Sequence, residues 1–245
     1  MMRKLLSKFK KVPEVQNKKS EEDFNKKTVA KLTADYAINE ANKLDTTNSI
    51  VDIMIKEAQI KKNDRILDVG CYDGLYEMLL AKRGITNVTA VDISSDAIRV
   101  ANEVKKKLGL KAEFKKADAE RLPFEDGSFN CVLMLGLVHH LGNETAKKVL
   151  KEAKRVLAPG GTMVLADPNL YHPRIIRSHL LQDSSENELA YGFLEFRKLA
   201  SKFFKIQTAY TLRYFPRTER LDGALKRLPV LNWFGAETLI IAKKG

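Results

Sequence analysis

Apolar and polar positions alternate in blocks through the middle of the chain, and these blocks predict strands and helices in turn. Short apolar runs of strand length are each followed by a segment in which apolar residues recur every three or four positions. Strands that alternate with helices are typical of βαβ units, and hence of a parallel sheet. The predicted strands are 65–69, 88–91, 112–116, 131–135 and 162–166. The predicted helices are 75–83, one that is capped by Ser94 or Ser95 and runs through Leu108, and 143–157.

The N-terminal part of the chain departs from this pattern. Residues 1–19 combine basic side chains with scattered apolar ones, which predicts a flexible tail that can also touch a membrane surface. Residues 20–60 are expected to hold two helices. One begins at a capping-type sequence at 20–23 and runs through Tyr36, and the other covers 50–58.

Beyond residue 168 the alternation stops. The sequence predicts a polar loop at 182–187, a helix over 188–201, and two strands over 203–211 and 237–242. No clear crossover helix separates these two strands, so we expect an antiparallel pair at the sheet edge. The predicted fold class is therefore α/β: a Rossmann-like doubly wound sheet, mostly parallel, with an antiparallel C-terminal strand pair and helices on both faces.

Size and composition fit one soluble domain. The chain has 245 residues, of which 44% are hydrophobic, and α/β folds often reach roughly 200–250 residues as a single unit. No apolar run approaches the ~18 residues of a membrane span, and the N-terminus lacks the apolar region of a secretory signal. Cys71 and Cys131 lack metal-ligand spacing, so we expect no metal site, no disulfide framework and a cytoplasmic location.

The net charge of +12 is concentrated at the two ends of the chain. Residues 1–31 carry 10 basic and 4 acidic side chains, residues 171–245 carry 13 and 7, and the middle is balanced. Basic flanks favour an acidic partner, such as anionic lipid, a phosphorylated small molecule or nucleic acid. Solubility alone is the simpler explanation, and composition leaves both open.

Candidate chemistry lies where the predicted strands end. The first strand ends at Asp68, and a turn with Gly70 and Gly74 leads into a helix. Asp92 and Asp118 follow the next two strands, at spacings of 24 and 26 positions, about one βα unit each. Because parallel α/β sheets bind ligands at the carboxyl ends of their strands, all three carboxylates should line one crevice.

Five segments, in order, resemble class I S-adenosylmethionine-dependent methyltransferases, and in particular their type 11 branch. The similarity extends over about 64–167. It implies a methyltransferase that uses S-adenosylmethionine. The matching segments are 66–74, 91–92, 117–124, 124–132 and 152–161.

The resemblance implies a role for each acid. Asp68, with Gly70, would hold the methionine end of the cofactor, Asp92 the ribose hydroxyls, and Asp118 the adenine amine. Two positions depart from the family pattern: Tyr72 stands where glycine is usual, and Asn130 where aspartate is usual. We expect Tyr72 to shape or cover the methionine end. The remaining residues that the resemblance assigns to the cofactor site are Cys71, Tyr72, Gly74, Ile93, Ala119 and Leu135.

Other interpretations of these residues were weighed. A dinucleotide fold requires Gly-x-Gly-x-x-Gly, but Tyr72 and Leu75 occupy the second and third glycine positions. A nucleotide triphosphatase loop is excluded because no Gly-Lys-Ser/Thr follows. Aspartates also commonly cap turns, so each acid alone could be a loop residue.

Histidines supply the candidate general base, since methyl transfer to oxygen or nitrogen often requires a proton to be removed. His139 and His140 follow the fourth strand and are the predicted catalytic residues. Asp167 and His172, after the fifth strand, are weaker candidates, and His179 is expected on a helix.

The predicted acceptor is a small or lipid-like molecule, possibly acidic, methylated at oxygen. An RNA methyltransferase is the alternative suggested by the charge, although the Asn/Asp-Pro-Pro-aromatic motif of nucleic-acid amino methyltransferases is absent after the fourth strand. A cofactor-binding module without transfer activity is the alternative suggested by Tyr72.

The expected organisation is a tail at 1–19, helices capping the cofactor site at 20–60, a cofactor-binding core at 61–168, and a substrate lid with edge strands at 169–245. Aromatic residues of the expected lid are Tyr171, Tyr191, Phe193, Phe196, Tyr214, Phe215, Trp233 and Phe234.

Overall fold

The computed structural model describes residues 33–43, 45–173, 191–212 and 235–245. The expected tail at 1–19, the helix start at 20–23, His179 and the aromatic residues of 214–234 lie outside these ranges. The helices are α1 (Ala34–Lys43), α2 (Asp45–Ala58), α3 (Leu75–Ala81), α4 (Ser95–Leu108), α5 (Asn143–Val156) and α6 (Phe193–Ala200). The strands are β1 (Ile66–Val69), β2 (Val88–Asp92), β3 (Glu113–Lys116), β4 (Phe129–Leu135), β5 (Leu157–Pro168), β6 (Lys205–Leu212) and β7 (Glu237–Lys243).

Within the described residues the strands form one seven-stranded sheet in the order β3-β2-β1-β4-β5-β7-β6. Strands β1 to β5 are parallel to one another, whereas β7 pairs antiparallel with both β5 and β6. The predicted mostly parallel sheet with an antiparallel C-terminal pair is confirmed. Successive strands are added in one direction from β1 to β3 and in the other direction from β4 onward. Between β1 and β4 the sheet therefore has a topological switch point, where a ligand crevice opens at the carboxyl ends of the strands.

Helices cover both faces of the sheet, which explains why its central strands are apolar throughout. All four residues of β1 are buried. One core cluster joins the sheet to α5 and α6 through residues such as Leu150 and Phe196. Another joins it to α2 and α3 through Met54 and Leu79. Strands buried on both faces lose the polar alternation that a half-exposed strand shows.

The N-terminal helices differ from their predicted bounds. The sequence predicts one helix through Tyr36 and another over 50–58, whereas α1 continues to Lys43 and α2 begins at Asp45. The buried face of α1 consists of alanines, at 34, 37 and 41, which pack against α3 and α4. Alanine side chains allow helices to approach closely, but they contribute only a weak apolar pattern to the sequence. The pattern therefore does not reveal that the helix extends to Lys43.

Two C-terminal elements also begin elsewhere. The predicted helix over 188–201 begins at Phe193, because Tyr191 forms a bridge with Asn169 and the extended Gly192 precedes the first turn. The predicted strand at 162–166 begins already at Leu157. The extra residues form an irregularity opposite β4, where Gly160 takes a φ of 69°. The turn signal at 159–161 therefore marks a bulge within the strand as well as the end of α5.

No helix in the described ranges is long and apolar enough to cross a membrane. Both cysteines are buried free thiols. The described residues also contain no group of three or more side chains suited to hold a metal ion.

Candidate functional site

The loop between β1 and α3, residues 70–74, lies at the switch point of the sheet. Its first two backbone N–H groups, at Gly70 and Cys71, both donate to the carbonyl of Val91, at 2.8 and 3.1 Å. Gly70 has a φ of 84°, and a Cβ there would lie 2.9 Å from Leu137 Cδ1. Glycine is thus required both by the backbone conformation and by the close approach of Leu137, a residue that the sequence did not single out.

Tyr72 adopts the left-handed region as well, with a φ of 49° that is unusual for a residue with a side chain. Its N–H donates to Asp92 Oδ2 at 3.0 Å, which fixes the loop in place. The half-buried ring packs against the cluster formed by α1, α3 and α4, which includes Ala37 and Met78. Burial raises the pKa of its hydroxyl to about 12, so the phenol is neutral. The side chain thus contributes to the packing of the N-terminal helix.

Asp68 is 1% exposed near the carboxyl end of β1, and Glu77, in the first turn of α3, is equally buried. No N–H or O–H donor of the described residues satisfies these oxygens in good geometry, and the two carboxyl groups interact with each other. Burial raises the pKa of Asp68 to about 7. Burial and the neighbouring Asp68 charge raise the pKa of Glu77 well above its usual value. Sequence reasoning missed Glu77, since an acid in the first turn of a helix is ordinarily a solvated residue.

Asp92 and Asp118 both cap the turns that follow their strands. Asp92 Oδ1 accepts from the N–H of Ser94 at 2.8 Å, and Asp118 Oδ1 accepts from the N–H of Glu120 at 2.9 Å. The loop-cap interpretation therefore holds for these two acids. It does not preclude ligand binding, because each carboxylate oxygen can accept more than one hydrogen bond. Burial raises the pKa of Asp92.

The other predicted cofactor residues lie at the same edge of the sheet. Ile93 directly follows β2, Ala119 lies in the loop after β3, and Leu135 is the last residue of β4. Gly136 follows it with a φ of 72° and donates its N–H to the carbonyl of Ala166 at 2.7 Å. Asn130, in contrast, accepts from the N–H of Arg65 at the opposite edge, where it holds β4 against the start of β1.

The two histidines after β4 lie in a 3₁₀ turn, Val138–His140. The imidazole Nδ1 of His139 lies 2.6 Å from Asp167 Oδ1, and Asp167 is fully buried at the end of β5. The backbone N–H groups of Val138 and His139 also point to this carboxylate, each at 3.3 Å. Burial raises the pKa of Asp167, and the His139 hydrogen bond opposes the rise. Asp167 thus fixes both the turn and the ring orientation of His139.

His140 differs from its neighbour in its surroundings. Its ring lies over that of His139, with centroids 3.9 Å apart. Burial, and then the charge of His139, lower the pKa of His140 to about 3, so this imidazole stays neutral at physiological pH. His172 lies in the turn after β5, where its N–H donates to the carbonyl of Asn169.

Asn169, which is fully buried, holds three separate parts of the chain together. Its side-chain amide donates to the carbonyl of Gly235 at 2.8 Å, just before β7. Its side-chain oxygen accepts from the N–H of Phe193 at 3.0 Å, at the start of α6, and from that of Tyr171 at 3.3 Å. In the sequence, Asn169 is recognisable only as a polar residue after a strand.

Comparison with known proteins identifies the part of the chain that carries this edge. Residues 66–161 match a protein family described as a methyltransferase domain. This part of the chain is a methyltransferase domain. It includes the loop with Asp68, the acids Asp92 and Asp118, and the turn with His139. The predicted resemblance to class I S-adenosylmethionine-dependent methyltransferases is confirmed.

Relatives share this domain over about half of their own length. The chain is 32% identical over 125 residues to the 27-O-demethylrifamycin SV methyltransferase of Amycolatopsis mediterranei, covering 50% of this chain and 45% of that protein. It is 38% identical over 106 residues to a ubiquinone biosynthesis O-methyltransferase of a Caulobacter species, covering 43% and 41%. Among solved structures, a SAM-dependent methyltransferase of Methanosarcina mazei is similar, with a TM-score of 0.62, 26% identity, and coverage of 78% of this chain and 96% of that one.

The methyltransferase domain fits the cofactor of its family, S-adenosylmethionine. The cofactor carries a cationic amino group, and the unpaired buried carboxyl of Asp68 lies beside the glycine loop where that group is expected. Gly70 leaves room for close approach, because its α-carbon bears no side chain. Asp92 stands one strand away, with acceptor capacity for ribose hydroxyls.

Proposed function

We propose that this protein transfers the methyl group of S-adenosylmethionine to an oxygen atom of a small or lipid-like acceptor, with His139 as the general base. The observation that carries the proposal is the His139–Asp167 pair at the carboxyl edge of the sheet. One of the relatives is an O-methyltransferase by name, and another acts by name on an O-demethyl compound, which supports oxygen as the methylated atom.

The geometry suits proton removal. When the Asp167 carboxylate accepts the hydrogen bond from Nδ1–H of His139, the lone pair of the imidazole is on Nε2. A Cβ placed on Gly136 would lie 3.9 Å from His139 Cε1, so the ring lies beside an exposed glycine at the end of β4. His139 Nε2 then accepts the proton of the acceptor's hydroxyl group while the hydroxyl oxygen forms a bond to the methyl carbon.

Bound S-adenosylmethionine supplies an electrophilic methyl group and leaves the reaction as S-adenosylhomocysteine. The protein's own part is to bind, align and exclude water. Asp68 and Gly70 would hold the methionine end, Asp92 the ribose, and Asp118 the adenine. Leu137, packed over Gly70, narrows the space above the loop.

The expected lid at 169–245 remains part of the proposal, and the chain path supports it. The chain leaves the described residues after Pro173 and again after Leu212. Pro168 of β5 pairs with Glu237 of β7, which pairs with Leu212 of β6. The described residues that flank 174–190 and 213–234 therefore lie at the carboxyl edge of the sheet, near the end of β5. The aromatic and arginine side chains in the sequence of 174–190 and 213–234 suit an apolar acceptor with acidic groups.

The alternatives have less support. The run 167–171 superficially matches the Asn/Asp-Pro-Pro-aromatic motif of nucleic-acid amino methyltransferases, but it follows β5, lacks the second proline, and its Asp167 is bonded to His139. A module without transfer activity was suggested by the tyrosine at position 72. The ring of Tyr72 packs against the cluster around α1, and this packing accounts for the residue without a loss of activity.

We keep the cytoplasmic location as part of the proposal because both cysteines are free thiols.

Cofactor binding provides the first test. Calorimetry with S-adenosylhomocysteine should show binding to the wild type, and Asp92→Ala should weaken it by about tenfold or more. Asp96→Ala, which removes an exposed carboxylate at the start of α4, should bind normally. Folded wild-type protein that does not bind the cofactor product would refute the proposal.

Transfer provides the second test. Tritiated S-adenosylmethionine should label hydroxyl-bearing acceptors from a panel of phenols, polyketides and quinols. His139→Gln should reduce the rate by about 10²–10⁴ while cofactor binding is kept. Labelling of RNA in place of the panel would support the alternative acceptor class.

A further inference from the structure

Two buried carboxyl groups flank the cofactor loop, and the known chemistry of the family does not account for the second of them. Asp68 precedes the loop and Glu77 follows it, and each is 1% exposed. No donor of the described residues satisfies their four oxygens, the two carboxyl groups lie within hydrogen-bonding reach of each other, and neither forms an ion pair with a cation there. Buried carboxyls without partners are rare because desolvation is costly, so the pair calls for a ligand or a proton.

The ionisable groups of the described residues that act on the pair are all acidic. The ionisable groups that act on it are Asp92 at the end of β2 and, within the loop, Cys71 and Asp73. None of these is a cation. Two neighbouring carboxyls in such a place cannot both ionise until a positive charge arrives. A ligand that brings a cation with N–H donors would satisfy both the charge and the unpaired oxygens.

We propose that Asp68 and Glu77 together form a receptor for the cofactor's ammonium group, and that the pair holds a shared proton which is released to solvent when that group binds. The inference rests on the proposed function, since it names a further residue of the same cofactor site. Glu77 is the new element: it is a binding residue supplied by the first turn of α3. The only bond that breaks is the O–H bond of the carboxyl pair, and its proton passes to water.

The direction of the pH dependence follows from the free protein. With Asp68 titrating near pH 7 and Glu77 above its usual range, the empty pair retains a proton at neutral pH. An ammonium ion beside the pair lowers the pKa of both Asp68 and Glu77, so both carboxyl groups are ionised in the complex. Affinity should therefore rise as the pH rises from 6 to 8, by up to about tenfold per unit where one full proton is released.

The test is to count protons during binding. S-adenosylhomocysteine is titrated calorimetrically in two buffers of different ionisation enthalpy at pH 6, 7 and 8. We expect a release of roughly 0.5–1 proton near pH 7. 5′-Methylthioadenosine, which lacks the amino-acid end, should bind without proton release.

Glu77→Gln is the decisive variant, because it removes one ionisable group and keeps the shape of the side chain. Proton release should fall below that of the wild type, to the share that Asp68 alone holds, and the pH dependence of affinity should become shallower. Glu103→Gln, an exposed glutamate paired with Arg99 on α4, is the matched control and should behave as the wild type.

The outcomes separate the two proposals. If the folded protein binds no S-adenosylhomocysteine at any pH, the proposed function fails and this inference with it. If it binds without releasing a proton, or releases as many protons with 5′-methylthioadenosine, only this inference is overturned. The comparison of the two ligands needs the wild type alone, so it remains decisive if Glu77→Gln does not fold.

Discussion

His139 and Asp167 lie on adjacent strand ends and are joined through imidazole Nδ1 and carboxylate Oδ1 at 2.6 Å. The contact is made where β4 and β5 run parallel, with Leu135 opposite Ala166. A base held in this way keeps one tautomer and one orientation throughout the reaction. The pair is therefore the part of the site whose removal should affect the chemical step most selectively.

Replacing Asp167 by asparagine should slow transfer far more than it weakens cofactor binding. The amide cannot stabilise the imidazolium, so we expect kcat to fall by about 10²-fold or more. The measurement compares the kcat and the cofactor Kd of Asp167→Asn with those of the wild type. Equal losses in kcat and in cofactor affinity would point to a structural role for Asp167.

His140 should make the protein less stable in acid. Its pKa of about 3 in the folded protein lies below the usual value near 6.5, so the unfolded chain binds the proton more readily. The free energy of unfolding should decline as the pH falls from about 6.5 toward 3, by at most about 1.4 kcal/mol per unit. Urea denaturation of the wild type and of His140→Gln checks this.

His140→Gln should reduce that decline and leave the pH–rate profile in place. An identical acid dependence of stability in both proteins would show that His140 is solvated in the folded state. The comparison is made between pH 7 and pH 5, where the general acid denaturation of carboxylates contributes least.

Tyr72→Gly should loosen the N-terminal helix. The half-buried ring packs against the cluster that holds α1, and its removal should cost on the order of 1 kcal/mol of that packing. Hydrogen exchange of residues 34–43 should therefore become about fivefold faster. Glycine also relieves the left-handed backbone at φ 49°, so the loop itself should not be disturbed.

Tyr72→Phe is the control, since it keeps the ring and removes only a neutral hydroxyl. Its exchange rates over 34–43 should match those of the wild type. Unchanged exchange in Tyr72→Gly would mean that the ring does not support α1.

Asn169→Ala should lower stability more than an ordinary asparagine replacement does. It leaves the N–H of Phe193 and the carbonyl of Gly235 unpaired in a buried place, at about 1–3 kcal/mol each. For a chain of this size we expect the Tm to fall by about 5–10 °C in calorimetry. Asn130→Ala loses a single bond to the Arg65 N–H and should change Tm much less.

Sequence reasoning predicted the sheet because each strand was a local apolar run and each crossover a local periodic segment. It also placed three acids at one edge, since strand ends in a parallel sheet share that edge. It could not separate their roles: Asp92 and Asp118 bond to nearby backbone N–H groups, whereas Asp68 does not. That difference depends on side-chain directions, which residue spacing does not encode.

The pairing of His139 with Asp167 was missed for a related reason. Both residues were considered, but 28 positions separate them along the chain. Their contact depends on β4 and β5 being neighbours and on the register between them. Glu77 was missed because its local context is an ordinary helix start, and only the packing of α3 on the sheet buries it.

The three bonds of Asn169 have an evolutionary consequence. They join Tyr171 after β5, Phe193 at the start of α6 and Gly235 just before β7, so described residues from three parts of the chain are held at one point. Under the proposed function, changes of length or sequence between these anchor points would alter the acceptor and leave the sheet, with its methyl-donor site, in place.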